Sequence, residues 1–186
     1  MRLPIIVEIE LRMSKFPILL SNLVKSTSLT ARKVHIFGIQ NEATSQQTNY
    51  VLDESEILDK GANGTLSLIF HSLKQLNKGE KHLKLTCDNA PQNKNNVTLR
   101  LCLFLVITVY YENIELNFML VGHTKFKCDS NFGLIKKLYH KSTIHSKEEF
   151  MEIVEKSSPK GLNKVQCYEN GQGREKEKTK VLINFD

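Results

Sequence analysis

The 186 residues are enough for one domain with its own core and short for two. At 40% hydrophobic and 25% charged the composition excludes wholesale disorder. The formal charge of +6, from 26 basic and 20 acidic side chains, suits a nucleic-acid partner without demanding one.

The first recognisable pattern in chain order is Ile5 to Leu11 (IIVEIEL), the only candidate for a strand ahead of residue 33. Lys33 to Ile39 (KVHIFGI) alternates polar and apolar residues with the period of two of a half-buried strand, and Asn49 to Leu52 makes a short second one. Leu66, Ile69, Leu73 and Leu76 recur at helical spacing, with Asn63 as a candidate N-cap and Gly79 just beyond the last apolar position. His82 to Cys87 (HLKLTC) returns to strand alternation and stops at Asp88-Asn89-Ala90-Pro91. Gln92 to Glu112 is so apolar in its second half that a buried helix is expected, against the β-branched content of Val97, Val106, Ile107 and Val109. Ile114 to Gly122 (IELNFMLVG) is a further strand, expected to be central. Phe132, Ile135, Leu138 and Tyr139 mark a short helix, and Ser146 with Glu149 forms a capping box for a last helix ending near Ser157. A polar tail is expected beyond Pro159, with a weak strand at Val181 to Phe185.

No segment qualifies as a membrane span: Val97 to Tyr111 is interrupted by Arg100 and is shorter than the ~20 residues needed. Leu3 to Ile9, broken by Glu8, is no signal-peptide core. A soluble protein of nucleus or cytoplasm, without a membrane partner, is the resulting expectation. Four cysteines at 87, 102, 128 and 167 form no CxxC pair, which leaves core thiols rather than a zinc or redox site. No GxxxxGK[ST] or GxGxxG follows any strand, which disfavours a nucleotide-binding enzyme.

The alternation of strands and helices predicts an α/β fold, a mixed sheet with helices on both faces. The order fits the ribonuclease-H-like arrangement, in which three antiparallel strands precede a helix and two further strands alternate with helices, with the first strand here missing or replaced. In such sheets catalytic groups gather where a strand hands over to a helix. Asp88 stands at one such exit and Asp129 at another. Two carboxylates opening on one edge could hold a hard divalent cation; equally, each Asp could simply cap its following helix.

Three stretches carry a resemblance: LTCDNAPQNKNN (85 to 96), ELNFMLVGHTKFKCDSNFGLIKKLY (115 to 139) and KVHIFGIQNEATSQQTNYVLDESE (33 to 56). They are similar to a poorly characterised transposase-derived domain family whose pattern has Asp-Asn, a small pair, Gly-Gln-Asn-Lys-Asn, and later Gly-His-Thr-Lys-Phe with an Asp three residues on. The likeness runs from about Lys33 to Gln166. It implies a transposase and integrase type of ribonuclease-H-like fold, in which three acids bind two metal ions, Mg2+ or Mn2+, for phosphodiester chemistry on DNA. On that resemblance Asp88 is the second metal ligand and Asp129 a candidate third, with His123 orienting or contacting phosphate. Lys94 and Lys125 would contact the backbone, and Asn89, Gln92 and Asn93 would support by hydrogen bonding. Two departures argue against activity: the glycine expected before Gln92 is absent, and residues 1 to 41 offer only Glu8 and Glu10 in place of the first Asp.

The basic excess is concentrated between His123 and Lys147, where six lysines (125, 127, 136, 137, 141, 147) face one acid, Asp129. A solvated lysine face explains such a run, and it also serves as an electrostatic footprint for DNA; Lys127, Lys136 and Lys137 are the further candidates it adds. The organisation expected is an atypical segment over 1–32, a transposase-derived domain over 33–158 and a tail over 159–186. The functional expectation is a DNA-binding mobile-element remnant with impaired catalysis, the alternative a non-catalytic nucleic-acid-binding or protein-interaction module; self-association is open in either case.

Overall fold

The computed structural model describes residues 6–18, 32–53, 62–89, 93–119 and 127–167. Ten elements follow in chain order: β1 (Ile6–Ile18), β2 (Arg32–Asn41), β3 (Gln46–Asp53), α1 (Ala62–Leu76), β4 (His82–Cys87), α2 (Asn96–Ile107), β5 (Asn113–Phe118), α3 (Lys127–Tyr139), α4 (Lys147–Lys156) and β6 (Asn163–Cys167). The six strands form one mixed sheet in the order β5-β4-β1-β2-β3-β6. β1, β2 and β3 run antiparallel in succession, β4 is parallel to β1, β5 to β4, and β6 to β3.

The leading strand, expected to be missing or replaced, is present. β1 is longer than the IIVEIEL stretch that announces it and lies in the middle of the sheet, between β4 and β2. Over residues 12–18 polar and basic residues interrupt the apolar pattern, yet the backbone ladder to β2 continues as far as Ile18↔Arg32. The Ile114 to Gly122 segment, expected to be central, instead supplies β5 at one end of the strand order, paired with β4 on one side. Asn163–Cys167, within the stretch expected to be tail, is a strand hydrogen-bonded to β3; the weak strand expected at Val181 to Phe185 lies outside the described residues.

Helices cover both faces. α1 places Leu66, Ile69 and Leu73 against Phe37, Ile39, Tyr50 and Leu52 of β2 and β3, Leu83, Leu85 and Cys87 of β4, and Leu101 and Leu105 of α2. α3 and α4 bury Cys128, Phe132, Ile135, Phe150 and Val154 against Val34, Ile36, Val51 and Val165 on the other face. The period of two sorts these sets: Val34 and Ile36 face α3 and α4, Phe37 and Ile39 face α1 and α2. Gly38 sits where α3 comes closest, since a Cβ there would lie 2.7 Å from Phe132 Cζ and 3.1 Å from Cys128 Sγ.

Capping follows the sequence in part. Ser146 Oγ accepts from Glu149 N at 3.1 Å, and the Glu149 carboxylate accepts in return from the His145 backbone N–H at 2.7 Å, one residue ahead of the usual box. α2 begins later than Gln92, because Asn95 is its N-cap and accepts from Thr98 N at 2.9 Å. It is also not buried all round: Leu101 and Leu105 enter the core while Leu99, Leu103 and Ile107 are exposed. It ends in a Schellman motif, with Tyr110 N donating to Leu105 O and Val109 N to Val106 O, both at 3.0 Å.

Candidate functional site

The sheet registers show how the candidate residues come together. Cys87, the last residue of β4, is registered with Leu11 of β1 on one side and Phe118 of β5 on the other. Asp88 follows immediately, at the carboxyl end of β4. One of its carboxylate oxygens, Oδ1, accepts a hydrogen bond from Asn93 Nδ2 at 2.6 Å, and Asn93 is itself buried. Lys94, exposed, holds its ammonium 5.7 Å from the ring centroid of Phe118, a cation–π distance. Asn95 then caps α2, so the positive end of that helix dipole opens at the same end of β4 and β5. An acid, a buried amide, a lysine, an aromatic ring and a helix N-terminus therefore share this edge of the sheet.

Asp129 reaches the neighbourhood from the other side. It lies in the first turn of α3, inside the helix rather than ahead of it. The preceding Cys128 Sγ contacts the Gly38 carbonyl at 3.8 Å. Gly38 is registered with Arg12 of β1, the residue after Leu11, which pairs with Cys87. The start of α3 thus lies over a strand two places from β4, about 10 Å away across the sheet. Asn131 of the same helix is tied to β2 by a bond from its Nδ2 to Gln40 Oε1 at 2.7 Å.

The first strand offers no acid at the level of Asp88. Glu10 is registered with Thr86 and Glu8 with Lys84, so the nearer of the two stands two residues, about 7 Å along the strand, short of it; the residue next to Leu11 in that direction is the basic Arg12. Among the described residues no group of three or more His, Cys, Asp or Glu side chains could hold a metal ion. The donor set expected for Mg2+ or Mn2+ is not assembled from those residues.

The remaining candidates divide. Asn89 is exposed beside Asp88. Lys127 is engaged with the Glu42 carboxylate, a pair that ties the start of α3 to the turn between β2 and β3. Lys136 and Lys137 are exposed in the last turn of α3. Gln92, His123 and Lys125 lie outside the described residues. Phe118 and the α2 N-cap Asn95 were not singled out in the sequence; for Asn95 the signal was there, an Asn three residues before Thr98 at the head of an apolar run.

The thiols near the site are inert by burial. Burial pushes the Cys87 thiol up to about 12, with Cys102 and Asp88 adding to the rise, and it pushes Cys102 up to about 11. Neither carries thiolate near neutral pH, so neither is a nucleophile there. No helix among the described residues is long and apolar enough to cross a membrane.

The fold and this edge together define a mixed α/β domain with polar and basic groups gathered at the carboxyl end of two parallel strands. The chain belongs to the family described as Domain of unknown function (DUF7869), which matches residues 24–174; the match begins beyond β1. No curated protein and no solved structure matches the chain.

Proposed function

We propose that this chain is a transposase-derived, ribonuclease-H-like domain that holds a nucleic-acid backbone without cutting it. The observation that carries the reading is the sheet itself. Three successive antiparallel strands are followed by β4, which adds beside β1 and parallel to it, and β5, which adds beside β4 in the same direction, with a helix after each. That is the strand plan expected of this fold, with β6 added at the far edge, and it puts Asp88 at the end of the strand beside β1.

The same geometry argues against catalysis. Metal-assisted phosphodiester chemistry needs carboxylates clustered around the ion, and here β1 carries Arg12 at the level where an acid is required. Lys94 and the α2 N-terminus add positive potential at this edge, and Lys136 and Lys137 stand exposed in the last turn of α3; phosphate neutralisation supplies most of the affinity of such contacts.

The test is binding of labelled single- and double-stranded DNA by fluorescence anisotropy across a salt series, with cleavage followed in Mg2+ and in Mn2+. Affinity should fall steeply with salt. Lys136→Glu and Lys137→Glu should each weaken binding, while Asp88→Asn, which removes a negative charge, should leave it unchanged or tighter. Salt-independent binding, or none, would remove the nucleic-acid reading. Metal-dependent nicking that Asp88→Asn abolishes would restore the enzyme.

A further inference from the structure

α2 carries an apolar face on each side. Leu101 and Leu105 enter the core, fully buried. On the opposite side Leu99, Leu103 and Ile107 are 56%, 59% and 69% exposed, with Val106 and Phe104 partly exposed beside them and Val109 67% exposed just past the helix end. Leu99, Leu103 and Val106 follow one another at the i, i+4, i+7 spacing of a packing stripe. Together these side chains leave roughly 500 Å2 of apolar surface in water, as large as the largest patch on an ordinary monomer. That is well over half of the roughly 800 Å2 each partner contributes to a standard two-chain interface. The helix has no acidic residue, and Arg100 is its one charge.

A second observation concerns Val109. It holds φ +60° at the C′ position of the Schellman motif, where glycine or asparagine is the usual residue. A β-branched residue in the left-handed region is strained, and inside a single copy of the chain this one gains little from being valine, since most of its side chain stands in water. Strain kept at an exposed position points to contact made elsewhere.

We infer that the outer face of α2 is the self-association surface of this protein, the occupant being α2 of a second copy packed antiparallel about a two-fold axis at Leu103. The pattern is self-complementary in that arrangement. Leu103 meets its own copy on the axis, Leu99 meets Ile107 because the two are equally spaced about it, and Val109 extends the contact at each end. Arg100 then falls opposite Val106, toward the rim. An apolar stripe lacking acids matches itself, as an isologous interface requires, and it offers nothing to a partner recognised by charge.

Sedimentation velocity of the full chain from about 1 to about 100 μM, from the weak end of what standard-size interfaces reach and beyond it, as a smaller contact requires, should show a monomer–dimer equilibrium. Leu103→Glu places two carboxylates face to face on the axis and should weaken the dimer by roughly 100-fold or more, the cost of like charges at an interface, with the far-UV circular dichroism unchanged because the position is exposed. Leu103→Lys alone should do the same, and mixing the two variants should restore a heterodimer. A wild-type monomer at the highest concentration, a dimer indifferent to Leu103→Glu, or a mixture that stays monomeric would each overturn the assignment. These outcomes are independent of whether the domain binds DNA.

Discussion

The two faces of the sheet depart from the inside–outside rule in opposite directions. Under α3 and α4 polar groups are buried and largely paired with one another, Gln47 Oε1 being the exception among the described residues. Gln47 Nε2 donates to Asn49 Oδ1 at 2.7 Å, Asn49 Nδ2 to Asn163 Oδ1 at 3.4 Å, and Asn163 Nδ2 to Ser157 Oγ at 2.7 Å. Under α1 and α2 the core is almost wholly apolar, and it is the outside of α2 that breaks the rule by exposing leucine and isoleucine. The first departure closes largely within the chain, because each of these amide N–H groups finds a partner in β3, β6 or the end of α4. The second does not close among the described residues. One face is held mainly by its own hydrogen bonds, and the other presents a surface that the described residues do not cover.

Substitutions on the two faces turn that contrast into numbers. Phe150, fully buried under α4, should cost about 3–5 kcal/mol on truncation to alanine, whereas Leu103→Ala at dilutions where the chain is monomeric should change stability by less than about 0.5 kcal/mol. Urea unfolding of both variants at low concentration checks this. A Leu103→Ala loss approaching that of Phe150→Ala would mean that the outer face of α2 is covered within the chain.

Asn49→Ala probes the closed face more gently. It strands the Gln47 amide and the Asn163 carbonyl oxygen at positions that are almost fully buried, at a cost of about 1–3 kcal/mol for each group left unpaired. The signature is a lower urea midpoint together with faster hydrogen exchange along β6, whose link to β3 passes through this amide. An unchanged β6 would mean that the backbone ladder alone holds the edge strand.

These contrasts also explain what could be read in advance. α1 and β4 were legible because Leu66, Ile69 and Leu73, like Leu83, Leu85 and Cys87, repeat with one clean period and face one core. α2 misled for the converse reason: a helix apolar on both sides has the pattern of a buried one, and composition does not say which side water takes. β5 alternates like a central strand, and its edge position is decided by which strands lie beside it, which the strand does not encode. β6 is nearly silent, since Val165 is its one buried aliphatic residue and Asn163 works through a hydrogen bond to a residue far away in sequence. At the site, Asp88 announced itself by following a strand. The Lys127–Glu42 pair joins elements 85 residues apart, and a local motif cannot foretell that Lys127 is spent on it.

The alkaline limb of stability should belong to the α1/α2 face. Burial pushes Cys87 from its ordinary 9.0 up to about 12 and Tyr111 from 10.0 up to about 12, the latter reinforced by the charge of Glu80 and opposed by a hydrogen bond with Asn77. A raised folded-state value means that the neutral form is favoured by folding. The contribution is complete below pH 9 and is lost as pH rises from there toward 12. Urea midpoints should therefore be flat from pH 7 to 9 and then fall, and Tyr111→Phe should make that fall shallower. A midpoint that holds through pH 11 would contradict the burial of these two groups.

The smallest effect is the most discriminating, because its sign differs between one copy and two. Val109 at φ +60° closes α2 in the conformation that glycine adopts freely, and the left-handed region costs an L-residue roughly 1–2 kcal/mol. Glycine relieves that strain and gives back part of the gain through a more flexible unfolded chain, so Val109→Gly should stabilise the dilute monomer by about 0.5–1 kcal/mol. The Schellman hydrogen bonds from Val109 N and Tyr110 N survive, being backbone bonds. At high concentration the same substitution removes an apolar side chain from the end of the proposed contact and should weaken association. Unfolding followed at two concentrations reads both: a rise in midpoint when dilute and a smaller rise, or a fall, when concentrated. An equal rise at both would leave Val109 strained but outside any interface, and would confine the association surface to the helical stripe of Leu99, Leu103 and Ile107.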